Sequence, residues 1–423
     1  MKSFSFFSQF RLYSMNIQSI LLWNLLFCLG LGIHSILYNL YLQGIVQDEV
    51  TIGRILGMNF LAQGLIYIPA GLFSDRLGSK KGVITGVSIL TVALFGNLFA
   101  TTQNELSFWG FVIGIGHAAT IVTFVPLLTE YSTTQEKKSL FTYAYSTGTF
   151  FTFLGTLLGG IVSDSIKEFF LLSNTVSIRI TLSITVILLV LCMIPLLFVK
   201  KNELQRKTSK GQRTLLFLIK TKPKSLLPIV KFSFSKTIAG VSLGIIFPFM
   251  NLFFLERFAL SSSMISIILA GGTLATVICM SYNSKITSSL SDVKTVSLYH
   301  LLSIPAILLL GLSQNIWIAI ISFVIYRSAN FSLNPIESKI MMEKVEPEIR
   351  GLTNSFGFMA YSICISLVGP FAMYLVQIAG HEKGYLFLCI VSSIASLIAA
   401  IYFHYAFAQK REYTTRIVEN TSV

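Results

Sequence analysis

The feature that most constrains this chain is a succession of twelve long apolar segments separated by short polar ones. A helix needs about 20 predominantly apolar residues to cross the hydrocarbon core of a bilayer. In lipid the backbone must satisfy its own hydrogen bonds, and a helix does so within one segment. The sequence therefore predicts an all-α integral membrane protein with transmembrane helices at residues 17–42, 50–74, 82–101, 106–129, 139–162, 177–199, 230–255, 262–285, 294–312, 315–338, 351–378 and 384–407.

Composition also indicates that lipid is the main solvent of this chain. Charged residues make up 12% of its 423 residues and the mean hydropathy is +0.73, whereas a soluble domain carries about 25% charged residues. The five cysteines lie inside apolar segments and lack the spacing of a metal knuckle or a redox pair. We therefore expect no metal site, no cofactor and no disulfide.

The distribution of basic residues predicts the orientation of the chain. Of the 32 Lys and Arg residues, 24 lie in the terminal segments and in the loops after even-numbered helices, and five lie on the opposite side. Because such an excess marks cytoplasmic segments, we expect no nucleic-acid partner for the net charge of +14. The predicted organisation is a cytoplasmic tail at 1–16, a six-helix bundle at 17–199, a cytoplasmic loop at 200–229, a second six-helix bundle at 230–407 and a cytoplasmic tail at 408–423.

Short sequence pairs recur at nearly one offset, close to half the length of the chain. Asn39 and Asn251, in the first and seventh helices, are 212 residues apart. Helices 2 and 8 share a Leu-Ala pair at an offset of 213, and Gly155 in helix 5 corresponds to Gly369 in helix 11 at 214. The near-constant offset predicts two pseudo-symmetric halves. Transporters built from such parallel repeats bind substrate between the halves, near the membrane midplane.

The segment GLFSDRLGSKKGVI, between helices 2 and 3, holds the most specific motif of the chain. It resembles the signature loop of the major facilitator superfamily and stands in the cytoplasmic turn where that family has it. Ser79 replaces the first basic residue of the family pattern. A basic turn that only sets topology is the alternative, although topology does not require this spacing. The matching positions are Gly71, Asp75, Arg76, Gly78, Lys80 and Lys81.

The resemblance covers essentially the whole chain and implies that family's fold, with alternating access between the two halves. It implies that Asp75 lies at the N-terminal end of helix 11, near Arg350, where the helix dipole favours an anion. Arg76 and the two lysines are then expected to pair with acids at the end of helix 4, with Glu130 and Glu136 as candidates. These residues form the predicted conformational switch, which holds the cytoplasmic side shut.

Helix 5 carries a second motif, Gly155-Thr156-Leu157-Leu158-Gly159-Gly160. It is similar to the antiporter motif of drug-efflux members of the family, but Thr156 stands where they have proline. The other interpretation is that Gly155, Gly159 and Gly160, like Gly369 and Pro370 of helix 11, mark close helix contacts. The resemblance is thus to a bacterial, drug-efflux-like branch, located in the inner membrane and working as a monomer.

Ionisable and polar side chains inside spanning helices are costly in lipid and usually face protein or water. Arg327 is the sharpest candidate, either attracting an anionic group of the substrate or bonded structurally to a neighbouring helix. His117 and Asn330 are predicted at matching depth in helices 4 and 10. The asparagines of the repeat either line the cavity or join helix to helix. The predicted cavity residues are His34, Tyr38, Asn39, His117, Asn251, Arg327 and Asn330.

No Asp or Glu falls at the centre of a predicted helix. Protons remain a candidate coupling ion, with His117, His34 or an acid near a helix end as carrier. The leading function is secondary active transport of a small organic solute, with export of a lipophilic compound or drug preferred. Uptake or facilitated transport of an anionic metabolite is the alternative, and a lipid-handling protein or membrane enzyme is the alternative of another class. No nucleotide-binding loop indicates ATP-driven pumping.

Overall fold

The fold is known from a computed structural model that describes residues 10–407, with gaps at 12, 47, 134–135, 201–225 and 347–348. The predicted tail at 408–423 and most of the predicted segments 1–16 and 200–229 lie outside the described residues. All regular elements in the described part are helical, and twelve helices are long and apolar enough to span a membrane. They are α1 Met15–Val46, α2 Glu49–Leu77, α3 Ser79–Phe99, α4 Gln103–Tyr131, α5 Lys137–Phe169, α6 Asn174–Leu197, α7 Leu226–Phe258, α8 Ser262–Ser289, α9 Asp292–Leu312, α10 Ile316–Lys344, α11 Arg350–Ala379 and α12 His381–Phe407.

The twelve predicted helices are confirmed, and most of them are longer than hydropathy indicated. Polar side chains that cap helix N-termini explain several early starts, because they accept hydrogen bonds from otherwise unpaired backbone N–H groups. Thr102 and Glu105 form a capping box at the start of α4, and Ser173 accepts from the backbone at the start of α6. The predicted end of α10 at residue 338 is wrong, since the helix continues to Lys344.

Helix α7 is interrupted, which the sequence analysis did not predict. Its first part ends at Gly244, a short 3₁₀ turn covers Phe247–Phe249, and a second helical part covers Met250–Phe258. Pro248 explains the break, because proline lacks the backbone N–H and its ring clashes with the carbonyl four residues earlier, here that of Gly244. At the break the backbone carbonyl of Pro248 accepts a hydrogen bond from the side chain of Asn39.

The helices pack as two groups, α1–α6 and α7–α12, which meet along two seams. Within the first group α1 packs on α5 and α6, and α4 packs on α2 and α3. Within the second group α9 packs on α10 and α12, and α7 packs on α11 and α12. The seams between the groups are formed by α2 with α11 and by α5 with α8.

Glycines allow the close backbone approach at these contacts, and glycines of the helix 5 motif are among them. Gly155 touches the carbonyl oxygen of Leu29 in α1, and Gly160 touches that of Ser262 across the α5–α8 seam. The α2–α11 seam uses a G-x-x-x-G pair, Gly53 and Gly57, which the sequence analysis missed. Gly53 packs against Gly369, and Gly57 packs against the Pro370 ring. Gly159 packs against Ile33 of α1.

The two ends of the bundle differ in their polar contacts. We call the end that carries the loops after odd-numbered helices the odd-loop end, and the opposite one the even-loop end. At the even-loop end basic side chains donate to C-terminal helix carbonyls: Lys80 to Val199 after α6, and Lys344 to Phe407 at the end of α12. Cations favour this position because the helix dipole leaves partial negative charge there. Basic residues thus have a structural role besides the topology role that the sequence predicts for them.

We predict that Gly155→Ala destabilises the protein by about 1–3 kcal/mol, the usual cost of overpacking. The added methyl carbon would lie 2.1 Å from the Leu29 carbonyl oxygen, so α1 and α5 must separate. The thermal midpoint of the purified protein in detergent measures the effect. Gly271→Ala is the matched control, because nothing lies within 4 Å of its methyl position. Equal midpoints for the two variants would contradict this packing.

Candidate functional site between the two halves

The two repeat-related asparagines hydrogen-bond to each other across the boundary between the two halves. Asn39 of α1 donates from Nδ2 to the side-chain oxygen of Asn251 at 2.9 Å and also to the backbone oxygen of Pro248. Asn251 returns a hydrogen bond from its own Nδ2 to the carbonyl of Ile36 at 3.0 Å. Both side chains are buried. Of the two roles that the sequence left open for this pair, the geometry in this state is the helix-to-helix bond.

Further hydrogen bonds join the halves toward the odd-loop end. Asp164 at the end of α5 accepts from the backbone of Ser263 in α8 at 2.7 Å. Gln377 of α11 donates to Asp48, the N-cap of α2, at 2.9 Å. Hydrogen bonds from Thr51 lower the pKa of the Asp48 carboxyl, which keeps this acceptor charged. The structure is therefore a state in which the odd-loop end is held closed.

Arg327 lies in α10 against the break in α7. It donates from Nη2 to the hydroxyl of Thr273 in α8 at 2.8 Å. Its guanidinium lies 5.3 Å from the ring centre of Phe247 and 5.4 Å from that of Phe331. Its Nε is buried and has no hydrogen-bond partner among the described residues. Gly272 leaves room for the arginine, because a methyl carbon there would lie 2.8 Å from its Cδ.

His117 and Asn330 occupy equal depth in their helices. Each is the fifteenth residue of a 29-residue helix, α4 and α10 respectively. Asn330 donates to the carbonyl of Tyr326 in its own helix at 2.9 Å. His117 keeps a buried Nδ1 without a partner among the described residues. Of the two, His117 is the one with an unused polar atom.

His34 and Tyr38 lie inside the first half. Their rings stack at a centroid distance of 4.6 Å. They line a small cavity together with residues of α3 and α6, including Asn97, whose amide donates to the Tyr38 hydroxyl at 3.4 Å. The structure thus does not bring these two residues to Arg327, but places them between α1, α3 and α6.

An intramembrane ion pair was missed by the sequence analysis. Lys236 of α7 forms a salt bridge with Glu337 of α10, whose side chain is only 8% exposed. The predicted end of helix 10 at 338 made Glu337 look terminal, but α10 runs six residues beyond that predicted end, to Lys344. The spacing of a lysine and a glutamate 101 residues apart carries no signal that they meet. The pair lies in the second half, toward the even-loop end.

The signature loop is partly visible in the structure. Gly78 separates α2 from α3 with φ +92°, a conformation that favours glycine. Gly71 makes no close backbone approach, since its nearest foreign atom is a side-chain carbon of Val122 at an ordinary 3.5 Å from the methyl position. Lys80 binds the carbonyl of Val199 rather than an acid of helix 4, and Lys81 is exposed.

The remaining switch residues are placed as follows. The backbones of Asp75 and Arg76 form the last turn of α2, and their side chains lie outside the described part. Arg350 starts α11 and donates to the carbonyls of Met342 and Val345 at the end of α10. Glu130 lies in the last turn of α4. The predicted contact of Asp75 with the start of α11 stays a prediction.

The sequence matches the Major Facilitator Superfamily over residues 20–238 and 232–420. The chain belongs to the major facilitator superfamily. Its all-α fold of twelve spanning helices is that of this family, and the protein is a multi-pass membrane transporter.

Three proteins similar to this superfamily member are transporters. Inner membrane transport protein YajR of Escherichia coli (strain K12) is 28% identical over 133 residues, and the match spans 30% of this chain and 28% of that protein. The structure of nucleoside transporter NupG aligns at a TM-score of 0.71 and 17% identity, covering 94% of this chain and 100% of that one. A bacterial homolog to human lysosomal transporter, Spinster, in an inward-facing and unoccupied conformation, aligns at 0.69 and 14%, covering 93% and 96%. These structural likenesses show the fold.

We predict that Lys236→Met lowers the stability by about 3 kcal/mol, because it leaves the Glu337 carboxylate buried without its cation. We take the low end of that cost because the Lys236 side chain is 26% exposed. The double variant Lys236→Met/Glu337→Gln should recover most of the loss, since no buried charge remains. Thermal midpoints in detergent report both effects.

Lys231→Met provides the matched control for this ion pair, because Lys231 lies in the same helix and donates to the backbone of Ala406. Its loss leaves no buried carboxylate behind. A midpoint as low for Lys231→Met as for Lys236→Met would contradict the proposed cost of an unpaired Glu337.

Proposed function

We propose that this protein is a secondary active transporter that moves a small organic solute bearing an anionic group by alternating access between its two halves. The observation that carries the proposal is Arg327, a cation in the middle of a spanning helix with no carboxylate among its described contacts. An ionisable residue in this position is a functional-site hypothesis by default.

The energetics of Arg327 support a role in binding. A charge in a membrane-spanning segment costs at least about 2.5–3.5 kcal/mol. One hydroxyl from Thr273 and the faces of two aromatic rings offset part of this cost, because aromatic faces attract cations. The buried Nε donor has no hydrogen-bond partner in the part of the chain that the structure describes. A carboxylate or phosphate group on a solute would supply the missing acceptor and the opposite charge, with the bidentate geometry that arginine favours.

The surroundings of Arg327 support the same site. The ring of Phe247, which it faces, belongs to the break in α7. Discontinuous helices commonly form the substrate and ion sites of transporters near the midplane. In the other half, at matching depth, the buried Nδ1 of His117 has no partner among the described residues and is a separate candidate for engaging a solute or a proton. The Lys236–Glu337 pair is a further candidate for carrying a coupling proton, since it holds the buried carboxylate that the predicted helix centres lacked.

The closed odd-loop end supports the alternating-access part of the proposal. If the even-loop end is cytoplasmic, as the basic residues predict, then this state is closed toward the outside. The Asn39–Asn251 bonds are then the contacts that break when the outside opens. In the proposed cycle the signature loop, with Asp75, Arg76 and Arg350, closes the cytoplasmic side in turn.

We predict that Arg327→Leu abolishes binding of anionic solutes. The probe is a panel of small organic carboxylates and phosphate monoesters added to the purified protein. Binding is measured as a rise in the thermal midpoint of the protein, because a ligand that binds only the folded state stabilises it. At least one compound should raise the midpoint of wild type and of Arg179→Leu, but not that of Arg327→Leu. Arg179 is the control because this arginine of α6 is exposed and lies over the ring of Phe99 at the end of α3.

Arg327→Lys separates charge from geometry in this experiment. It keeps a cation but lacks the planar fork of guanidinium, so we expect weaker binding of the same compounds rather than none. If Arg327→Leu binds them as wild type does, the anionic-solute proposal is wrong.

A second candidate, export of lipophilic compounds or drugs, is favoured by the aromatic rings of Phe247 and Phe331 beside the same arginine. Planar lipophilic molecules stack on such rings.

For this second candidate we predict that wild type, expressed in a bacterial host without its own efflux pumps, lowers dye accumulation and growth inhibition, and that Asp75→Asn loses both effects. Equal accumulation in cells with wild type, Asp75→Asn and empty vector, with both proteins in the membrane, would exclude broad efflux and leave the anionic-solute proposal standing.

A further inference from the structure

Three side chains with metal-binding groups meet at the odd-loop end of the molecule, where the two halves come together. Glu49 begins α2, Glu256 lies in the second part of α7, and His381 begins α12. The Nε2 atom of His381 lies 3.1 Å from Oε1 of Glu49 and 3.9 Å from Oε2 of Glu256. The three ligand atoms all fall within 4.8 Å of one another. One half of the molecule thus supplies one carboxylate, and the other half supplies a carboxylate and an imidazole.

The surroundings of Glu256 hold its carboxylate in place. Its side chain is only 3% exposed. The Tyr385 hydroxyl donates to Oε2 and the Gln43 amide donates to Oε1, both at 2.8 Å. Such outer partners orient the ligands of metal sites and tune their affinity. The Oε1 atom of the same Gln43 amide is buried and has no hydrogen-bond partner among the described residues. An unused oxygen therefore stands next to the carboxylate.

The charges of the cluster favour a divalent cation. The carboxylates of Glu49 and Glu256, with ligand oxygens within 4.8 Å of each other, repel each other unless a cation stands between them. Arg257 does not neutralise Glu256, because it donates to the carbonyl of Gly311 and lies over the ring of Phe253. His381 contacts both acids, but one imidazolium balances only one negative charge. A divalent ion balances both and is compatible with a neutral imidazole ligand.

We propose that Glu49, Glu256 and His381 form a binding site for a divalent transition-metal cation of the zinc class, which fastens the two halves together. Zinc takes carboxylate oxygen and imidazole nitrogen at about 2.0–2.2 Å, commonly with three protein ligands and one further position. At such bond lengths tetrahedral ligands stand roughly 3.4 Å apart, so the cluster needs shifts on the order of 1 Å. Imidazole selects this class over magnesium or calcium.

Metal binding at this site acts on conformation. The three ligands come from both halves of the molecule, so the site is complete only while the odd-loop end is closed. A ligand that binds one state better shifts the population toward that state. Zinc therefore stabilises the closed odd-loop end and slows any cycle that must open it. This inference does not depend on which solute the protein carries.

Zinc chloride titrated against the purified full-length protein, with magnesium chloride and EDTA as references, tests the site. We expect a rise in thermal midpoint and one zinc bound per chain for wild type, both reversed by EDTA. His381→Ala should weaken binding at least about tenfold, the usual effect of losing a metal-site partner. His404→Ala is the matched control, because His404 lies at the opposite end of the same helix and should leave binding unchanged.

Two further measurements keep the outcome decisive. Glu49→Gln removes a partly exposed ligand, so it tests the site without disturbing the buried Glu256. Cobalt(II) in place of zinc should give visible absorption bands in wild type that Glu49→Gln and His381→Ala lack. If both variants bind zinc as tightly as wild type, or if wild type binds none, the proposed site is wrong.

Discussion

Lipid offers no hydrogen-bond partner, and that constraint organises the whole structure. The backbone satisfies it by forming helices, and polar side chains satisfy it by binding one another or helix carbonyls. Asn39 and Asn251 do so across the two halves, and Lys236 does so with Glu337. The described atoms that leave the rule unmet include Nε of Arg327, beside the break in α7. In the proposed function, an anionic group of the solute supplies the hydrogen-bond acceptor that this atom lacks.

The seam between the halves combines close contact with bonds weak enough to break. Glycines such as Gly53 and Gly160 bring helix backbones together without interlocking side chains. A net contribution of about 1 kcal/mol for each hydrogen bond makes the Asn39–Asn251 contact weak enough to break in the proposed cycle. The cluster of Glu49, Glu256 and His381 adds a contact at the same end whose strength depends on a bound cation. Closure at the odd-loop end is thus adjustable.

The sequence predicted the parts of this structure that depend on local pattern. Hydropathy located the twelve helices, and the half-chain offset paired Asn39 with Asn251 before any contact was known. Helix ends were predicted poorly because caps such as Ser173, not hydropathy, decide them. The break in α7 has a visible sequence signal in Pro248, which interrupts an otherwise apolar helical segment. The meeting of Glu256 with His381 had none, because only the packing of α7 on α12 creates it.

The most direct test of alternating access is a pair of distances measured by spin labels in a background without the five native cysteines. Labels at the exposed positions Phe170 and Leu312 report the odd-loop end, and labels at Lys81 and Ser288 report the even-loop end. Asn39→Ala removes the hydrogen bonds of Asn39 to Asn251 and Pro248. The account therefore predicts a longer odd-loop distance together with a shorter even-loop distance. Distances that stay fixed at both ends, or lengthen together, would contradict the account.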